Sequence, residues 1–245
     1  MKITRDDRLR MERVHVHAWP ALATETIDGW LWRCSGGGSN RANSVSTIDF
    51  HGADPDAAIS RAETLYRTRN AETKFQLFNE TSPPNLADIL QARGYRPVNP
   101  TTTMFKRPTP TPPPQDVELH DHPWPEWRNL YLTEIAPDRR SVNNLILDRI
   151  PSPGAFVACR RNGAVVATGL AVIGFGCAAI ECVATSADTR RQGAATSVLS
   201  ALQSWAARQD IDWIGLQVVT GNTPGVALYQ RLGFVAGATN TYWIR

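Results

Sequence analysis

The sequence predicts an α/β protein of the α+β kind, with a mixed, mostly antiparallel sheet flanked by helices and built as two related copies in tandem. Three observations support this fold class. Asn162-Gly163 lies between two apolar runs and is a strong β-hairpin signal. Residues 180–185 form a short apolar run, followed by a loop of small residues and a helix-like pattern. Finally, FQLFN, a helix and Gly94-Tyr95 parallel LQVVTGN, a helix and Gly233-Phe234.

Bulk properties narrow the possible classes of protein. The 245 residues suffice for one large domain or two small ones, and no apolar run approaches the length of a membrane span. The polar N-terminus does not resemble a signal peptide. A net charge of +3 suits an anionic cofactor but is too small to indicate nucleic-acid binding. The cysteines show no metal spacing and are expected to be reduced core residues of a cytoplasmic protein: Cys34, Cys159, Cys177 and Cys182.

A proline-rich stretch divides the chain. Residues 107–114 hold too many prolines for a helix or a sheet interior and favour an extended spacer. A proline-rich ligand for another protein is the alternative. The predicted organisation is an N-terminal domain over 1–106, a linker over 107–115 and a C-terminal domain over 116–245.

The first half alternates between strand and helix patterns. Pro55 suits the first turn of a helix, and Gly94 suits a helix end. The expected elements are a partly helical stretch over 6–19, strands over 29–33 and from 45 to near 50, a helix over 55–69, a strand over 74–78, a helix over 85–93 and a strand over 102–106.

The second half has a similar alternation. Asn222, Thr223 and Pro224 provide a cap and a first-turn proline for its last helix, which Gly233 ends. The expected elements are a strand over 117–119, helices over 124–135 and 139–149, hairpin strands over 155–160 and 164–173, a strand over 178–185, a helix over 195–206, a strand over 214–219, a helix up to Gly233 and a last strand near 242–245.

The loop before the helix over 195–206 is a candidate anion site. Arg190, Gly193 and Ala195 follow the spacing Arg-x-x-Gly-x-Ala. The first turn of a helix presents unpartnered N–H groups and a partial positive charge, so a pyrophosphate can bind there. The alternative is a strand–loop–helix connection that needs small residues only to turn. The loop is neither a Walker loop nor a dinucleotide fingerprint.

Together with the segment Asn-x-x-x-x-Ala-Leu-Tyr-x-x-Leu-Gly-Phe from Asn222 to Phe234, this loop resembles the GNAT superfamily of acetyl-CoA-dependent N-acetyltransferases. The resemblance is specific from Val165 onward, weaker over 116–163 and weakest before that. It implies the acyl-CoA N-acyltransferase fold and a degenerate GNAT-like first half. It also implies transfer of an acetyl group from acetyl-CoA to a primary amine by direct attack in a ternary complex.

The resemblance implies the cofactor contacts. The backbone of the strand before the loop would bind the pantetheine arm, in a V that the family opens between two strands. The loop and the helix start would bind the pyrophosphate. Asn222 would bind the arm or cap the last helix, and both alternatives stay open. Ala195 replaces the more usual second glycine. The predicted cofactor-binding residues are Val183, Ala184, Thr185, Arg190, Arg191, Gln192, Gly193, Ala194, Ala195, Thr196 and Asn222.

Two residues are predicted to be catalytic. Tyr229 would be the general acid, since a phenol of pKa about 10 stays protonated at neutral pH. Its alternative is packing in the core. Glu181 is the candidate base: burial would raise its pKa, and it lies two residues before Val183, hence on the same face. A structural salt bridge, an exposed sheet edge, and water as the base are the alternatives.

The first half is expected not to bind the cofactor. Asp54 and Asp56 flank Pro55 before its long helix and would repel a pyrophosphate, and Leu90 stands where the second half has Tyr229. This half would instead shape the acceptor side or stabilise the second half. The polar cluster Arg41, Asn43 and Ser44 lines an acceptor pocket or simply forms a turn. His120 and His122 are expected at the surface.

The predicted partners are acetyl-CoA and an amine acceptor, either a small molecule or a protein amine, with no nucleic acid, metal or membrane. The protein would be a monomer or a homodimer. An aminoglycoside, an amino acid, a polyamine and a protein N-terminus remain possible acceptors. The rival hypothesis is a non-catalytic acyl-CoA-binding or regulatory protein. A nucleic-acid adaptor is disfavoured because no basic stripe is present.

Overall fold

A computed structural model describes residues 2–245. Helices in both halves begin at cap residues: Thr4 and Asp7 form a capping box for the first helix, Asp54 caps the second, and Asn222 caps the last. The elements of the first half are α1 (Arg5–Ala18), β1 (Ala23–Ile27), β2 (Trp30–Cys34), β3 (Val45–Ser46), α2 (Pro55–Arg67), β4 (Lys74–Phe78), α3 (Leu86–Ala92) and β5 (Arg96–Lys106).

The second half contains the predicted hairpin. Asn162 and Gly163 both have positive φ, at 50° and 80°, as a tight two-residue hairpin turn requires. The elements of this half are β6 (Val117–His120), α4 (Pro125–Glu134), α5 (Arg140–Leu147), β7 (Gly154–Arg161), β8 (Ala164–Gly174), β9 (Cys177–Thr185), α6 (Ala194–Ala206), β10 (Trp213–Val219), α7 (Thr223–Arg231) and β11 (Val235–Ile244).

All the described strands form one sheet. Its order is β1-β2-β3-β4-β11-β5-β10-β9-β8-β7-β6, with 11 strands. Within residues 2–245, β9 pairs with β10 in parallel and β3 pairs with β4 in parallel, while the other pairs are antiparallel. The predicted mixed, mostly antiparallel sheet with flanking helices is therefore confirmed.

The two halves exchange their last strands. β5 ends the first half but pairs with β10 of the second half. β11 ends the second half but pairs with β4 of the first half. β5 and β11 also pair with each other at the centre of the sheet. The sheet is thus continuous across the predicted linker, and each half completes the other.

Corresponding helices in the two halves end in the same way. The N–H of Tyr95 donates to the carbonyl of Leu90, and the N–H of Phe234 donates to the carbonyl of Tyr229, each at 3.0 Å. The glycines just before these donors have φ of 83° and 84°. This shared left-handed helix end supports the prediction of two related copies, which remains a prediction.

Helices cover both faces of the sheet. On one face, α1, α4 and α5 pack over a core centred on Met11, Trp127 and Leu170. On the other face, α6 and α7 pack against the second half, and α2 and α3 pack against the first half. Although α1 belongs to the first half, it lies on β8, β9 and β10. The N-terminal helix is therefore part of the second half's core.

Four strands differ from the sequence predictions, and one of them is β11, which begins at Val235 although it was predicted only near 242–245. β1 was not predicted because its sequence, ATETI, is polar and it pairs only with β2 at the sheet edge. β3 ends at Ser46, short of the predicted limit near Phe50. β5 begins at Arg96, well before Thr102, in spite of Pro97 and Pro100. Its pairing with β10 covers only 101–106, so both prolines lie where that side of β5 has no partner.

The segment between β5 and β6 has no regular secondary structure, as predicted for a linker. It nevertheless packs on the second half. The Arg107 guanidinium lies 3.9 Å from the ring centroid of Trp213, and Ser204 Oγ donates to the carbonyl of Thr111 at 2.6 Å.

The cysteines are unpaired in the described chain; Cys182 is half-buried and the other three are buried. Across residues 2–245, no helix has both the length and the apolar character needed to cross a membrane.

Candidate active site

The two parallel strands of the second half separate along their length. β9 and β10 pair from Cys177 with Trp213 to Ile180 with Leu216, and no pairing follows. β9 nevertheless continues to Thr185 and β10 to Val219. The edge of β9 around Val183 therefore faces a gap in place of a neighbouring strand. This gap has the form of the V that the family resemblance implies.

The N-terminus of α6 follows the end of β9. Gly193 is its N-cap residue, with φ of 86°, and no side chain caps the helix. The first-turn N–H groups of Ala194, Ala195 and Thr196 thus have neither an intrahelical acceptor nor a side-chain one. Arg191 is also left-handed, with φ of 62°. This open helix start can accept an anion.

The corresponding helix of the first half starts differently. Asp54 caps α2 by accepting a hydrogen bond from the N–H of Ala57 at 3.1 Å. A carboxylate therefore occupies the place that Gly193 leaves open in α6. This contrast supports the prediction that the first half does not bind a pyrophosphate.

Side chains from two other elements hold the loop before α6. Arg161 Nη1 donates to the carbonyl of Gln192 at 2.7 Å. Arg190 Nη2 donates to Glu134 on α4 at 2.9 Å, so its charge is partly neutralised. Arg191 has no ion-pair partner in the described part of the chain, which leaves its charge available beside the helix start.

A β-bulge interrupts β9 at Cys182. This residue has φ of 54°, and the pairing with β8 shifts between Thr168 and Leu170. As a result, Val183 packs on the α6 side of the sheet, whereas Glu181 contacts His15 of α1 on the other side. The prediction that Glu181 and Val183 share a face is wrong, because the extra residue reverses the alternation.

Glu181 lies in a buried ionic cluster. Its Oε1 accepts hydrogen bonds from His15 Nδ1 at 2.9 Å and from Arg41 Nη1. Burial raises the pKa of Glu181, but the Arg41 charge and the His15 hydrogen bond outweigh burial, so the pKa is lowered. The predicted rise in its pKa is therefore wrong. Burial also lowers the pKa of His15, which favours a neutral ring that donates its Nδ1–H.

Tyr229 lies on α7 and packs with Val183 into the apolar cluster beneath α6. Its ring meets Phe234 edge-on, with centroids 6.3 Å apart. Burial and then the charge of Glu181 raise the pKa of Tyr229, so the phenol is protonated at neutral pH. Both the packing role and a proton-donor role are compatible with this position, and the acid role remains a prediction.

Asn222 caps α7. Its Oδ1 accepts a hydrogen bond from the N–H of Gly225 at 3.2 Å, which is the capping alternative given by the sequence. A contact with the pantetheine arm remains a prediction.

His120 and His122 are both exposed, as expected.

A pocket of about 260 Å³ opens at the far end of β10, beyond the point where β9 separates from it. We call it the central pocket. Both halves contribute to it. Its lining residues are Ser39, Asn40, Arg41, Asn99, Thr101, Arg139, Gln217, Val219 and Tyr242.

The polar cluster predicted around Arg41 forms a turn and borders the central pocket; its role in binding an acceptor remains a prediction. Arg41 lines the central pocket and contacts Glu181. Asn43 braces the turn: its Oδ1 accepts from the N–H of Ser35 at 2.8 Å, and its Nδ2 donates to the carbonyl of Ser39 at 2.9 Å. The carbonyl of Ser44 accepts from the buried Arg33 at 3.0 Å.

Sequence reasoning missed a buried carboxylate beneath the central pocket. Glu12 of α1 accepts hydrogen bonds from Thr103 Oγ1 at 2.6 Å and Gln217 Nε2 at 2.7 Å. Burial raises its pKa to about 7, although these hydrogen bonds lower it. The only available signal was spacing: Glu12 and His15 lie beside Met11 and Val14 on one helix face.

Comparison with known proteins identifies the family. Residues 6–243 match a family model described as "Probable histone acetyltransferase Rv0428c C-terminal". The chain belongs to this family. Its sequence is also 26% identical over 250 residues to an "Uncharacterized N-acetyltransferase YobR" of Bacillus subtilis, covering 98% of this chain and 99% of that protein. This member of the Rv0428c family is therefore an acetyltransferase of the GNAT type, and membership implies an acyl-CoA donor.

Solved structures agree on the fold. A GCN5-related N-acetyltransferase from Kribbella flavida superposes with a TM-score of 0.72 at 17% identity, covering 98% of this chain and 96% of that chain. A tandem GNAT protein from the clavulanic acid biosynthesis pathway gives 0.60 at 14% identity, covering 82% and 74%. The Rv0428c family member thus has the GNAT fold over almost its whole length.

Proposed function

We propose that the protein is a cytoplasmic N-acetyltransferase that transfers an acetyl group from acetyl-CoA to a primary amine within a ternary complex. One observation carries the proposal: the gap between β9 and β10 leads to the uncapped start of α6. A long molecule with an anionic middle section fits this path. Its extended arm would lie along the free edge of β9, and its pyrophosphate would lie on the helix start.

The donor would be held along this path from end to end. The N–H groups of Gly193 and Ala194 would bind the pyrophosphate, with Arg191 adding charge. The backbone of 183–185 would bind the pantetheine arm. The thioester would then lie near the bulge at Cys182, where the ladder is interrupted. Backbone N–H groups there would stabilise the oxygen as it gains negative charge.

The reaction forms one bond and breaks another. The neutral amine attacks the thioester carbonyl, a C–N bond forms, and the C–S bond breaks. The sulfur leaves as a thiolate and needs a proton. Tyr229 is the proposed donor, since burial keeps its phenol protonated, and it packs against the same apolar cluster as Val183, which lies on the free part of β9.

Glu181 takes a positioning role in this proposal. A carboxylate whose pKa is lowered by Arg41 is a weak base. Its contacts instead hold Arg41 at the central pocket and His15 beneath it. Water would accept the proton that the amine loses.

Replacing Tyr229 by Phe tests the proposal. We expect kcat to fall roughly 100-fold, the scale of general acid catalysis, with little change in the affinity for acetyl-CoA, because only the hydroxyl is lost. Thiol release with an amine panel measures turnover, and calorimetry measures binding. Phe234→Leu, which changes only the ring that packs on Tyr229, controls for packing. Absence of acetyl-CoA binding by the folded wild-type protein would reject the proposal.

A further inference from the structure

The central pocket contains cations and no carboxylate. Among its nine lining residues, Arg41 and Arg139 are charged, and the rest are neutral. Arg139 forms no ion pair with any residue between 2 and 245 and is exposed on the turn before α5. Arg41 is paired with Glu181, yet its side chain remains 22% exposed.

The surroundings add positive charge. Arg33 is buried and donates to the Ser44 carbonyl and to Gln76 Oε1, but to no carboxylate within residues 2–245. Gln76 is the register partner of Tyr242, which lines the pocket. The Arg33 guanidinium, which has no carboxylate partner within residues 2–245, therefore contacts β4, the strand next to Tyr242 of the pocket wall.

The carboxylates beneath the pocket do not offset this charge. Glu181 and Arg41 form an ion pair whose charges offset each other, so, within the described residues, Arg139 is the unpaired charge of the lining. Glu12 points its two oxygens at Thr103 and Gln217 and is covered by them. A molecule in the pocket therefore meets Arg139 and Arg41 but no exposed acid.

We propose that the acceptor is a small amine that also carries a carboxylate, of the free amino acid class, and that Arg139 binds this carboxylate. The proposal rests on the function proposed above. Polycationic acceptors such as polyamines, aminoglycosides and lysine-rich peptides need acidic partners, which the pocket does not offer. The volume of about 260 Å³ is smaller than that of typical drug-sized ligand sites and suits a small acceptor.

The same charges assist the chemistry. A positive potential disfavours a second positive charge, so it lowers the pKa of an amine bound nearby. The bound amine is then more often neutral and able to attack. The attraction between the acceptor's carboxylate and Arg139 offsets the repulsion between the positive potential and the amine. One arrangement thus selects the acceptor and prepares its nucleophile.

Matched pairs of acceptors test the proposal. The full-length protein with acetyl-CoA is assayed for thiol release with amino acids and with the corresponding amino acid amides, alongside spermidine, kanamycin and a lysine-rich peptide. Each acid differs from its amide in one negative charge and in a higher amine pKa, so each rate is divided by the neutral fraction of its amine. We expect the best acid to exceed its amide roughly tenfold in kcat/KM, the scale of one charge-assisted hydrogen bond.

Substitution of Arg139 locates the effect. Arg139→Gln is expected to raise KM for the acid about tenfold, to leave kcat little changed and to abolish the preference over the amide. Arg67→Gln is the matched control, because Arg67 is an exposed arginine of α2 whose side chain has no hydrogen-bonded partner among the described residues. Binding of N-acetyl amino acids in the presence of CoA, measured by calorimetry, should weaken in the Arg139 variant alone.

The outcomes separate this proposal from the function on which it rests. Fastest turnover with spermidine, kanamycin or the peptide would overturn the amino acid class while leaving N-acetyltransfer intact. So would equal rates for acids and amides. Acetyl-CoA binding without thiol release for any amine would overturn both proposals.

Discussion

Glu12 is a buried carboxylate with polar but uncharged partners. Its oxygens accept from Thr103 and Gln217, and burial raises its pKa from 4.5 to about 7. Between these two pKa values, the folded protein holds a proton that the unfolded chain has lost. The contribution of Glu12 to stability is therefore largest below about pH 4.5 and is lost as the pH rises through about 7.

Glu12→Gln should remove this pH dependence. The amide keeps the shape and can hydrogen bond to both partners, so at pH 8 we expect the variant to be more stable than the wild type by on the order of 3 kcal/mol. Near pH 4.5 the difference should vanish. Urea denaturation across this pH range measures it. Glu126→Gln on α4 serves as the exposed control, and equal pH slopes for wild type and Glu12→Gln would contradict the argument.

Residue type and position predicted part of the site. Glu181 stood out as an acid inside an apolar strand, and the sequence left open the salt bridge that the structure contains. Its partners could not be predicted, since His15 and Arg41 lie 166 and 140 residues away in sequence. The direction of its pKa shift depends on those partners, so burial alone gave the wrong sign.

At the scale of elements, the two long helices α2 and α6 differ in the residue at the N-cap. Asp54 caps α2 with a carboxylate, whereas Gly193 leaves α6 open at a left-handed position. Glycine suits the φ of 86° at this N-cap. An added Cβ would come no closer than 3.8 Å to Arg161, so conformation and charge, more than crowding, limit what can replace it.

Gly193→Asp and Gly193→Asn form a matched pair. The two side chains have similar size and both tolerate left-handed backbone, so their difference isolates charge. We expect the Asp variant to bind CoA about tenfold more weakly than the Asn variant, which corresponds to about 1.4 kcal/mol. Calorimetry at two salt concentrations measures this. Equal affinities would mean that the pyrophosphate does not lie at the start of α6.

The strands show where local patterns fail. The segments that form β4 and β9 were predicted nearly to their limits, because each is an apolar run with clear ends. The bulge at Cys182 and the gap beside Val183 left no mark in the sequence. Both arise from how neighbouring strands pair, which hydrophobic periodicity does not record.

For the whole molecule, the exchange of last strands makes the halves depend on each other. The second half alone would lose β5 from the edge of β10 and would lose α1 from its core. The first half alone would lose β11 from β4. An unpaired strand edge and an uncovered apolar face favour aggregation over folding.

Separate expression of 1–107 and 115–245 should therefore give two unfolded or aggregating fragments. Refolding the two together should restore a cooperative unfolding transition, since the connector itself has no regular structure. Circular dichroism and gel filtration measure both results. A folded, monomeric 115–245 fragment would show that the exchanged strand and α1 are dispensable.

The sequence by itself determined the fold class, most elements of the second half, and the motif that points to an acetyltransferase, because helix caps, glycine stops and the hairpin turn are local. Tertiary structure alone decided the β9–β10 gap, the partners of Glu181, the burial of Glu12 and the charge of the central pocket. The gap arises from strand pairing within the second half, and the other three arise where the first half meets the second; all depend on contacts between residues far apart in the chain. Pairing across that distance depends on the packing of whole elements, and no local pattern encodes it.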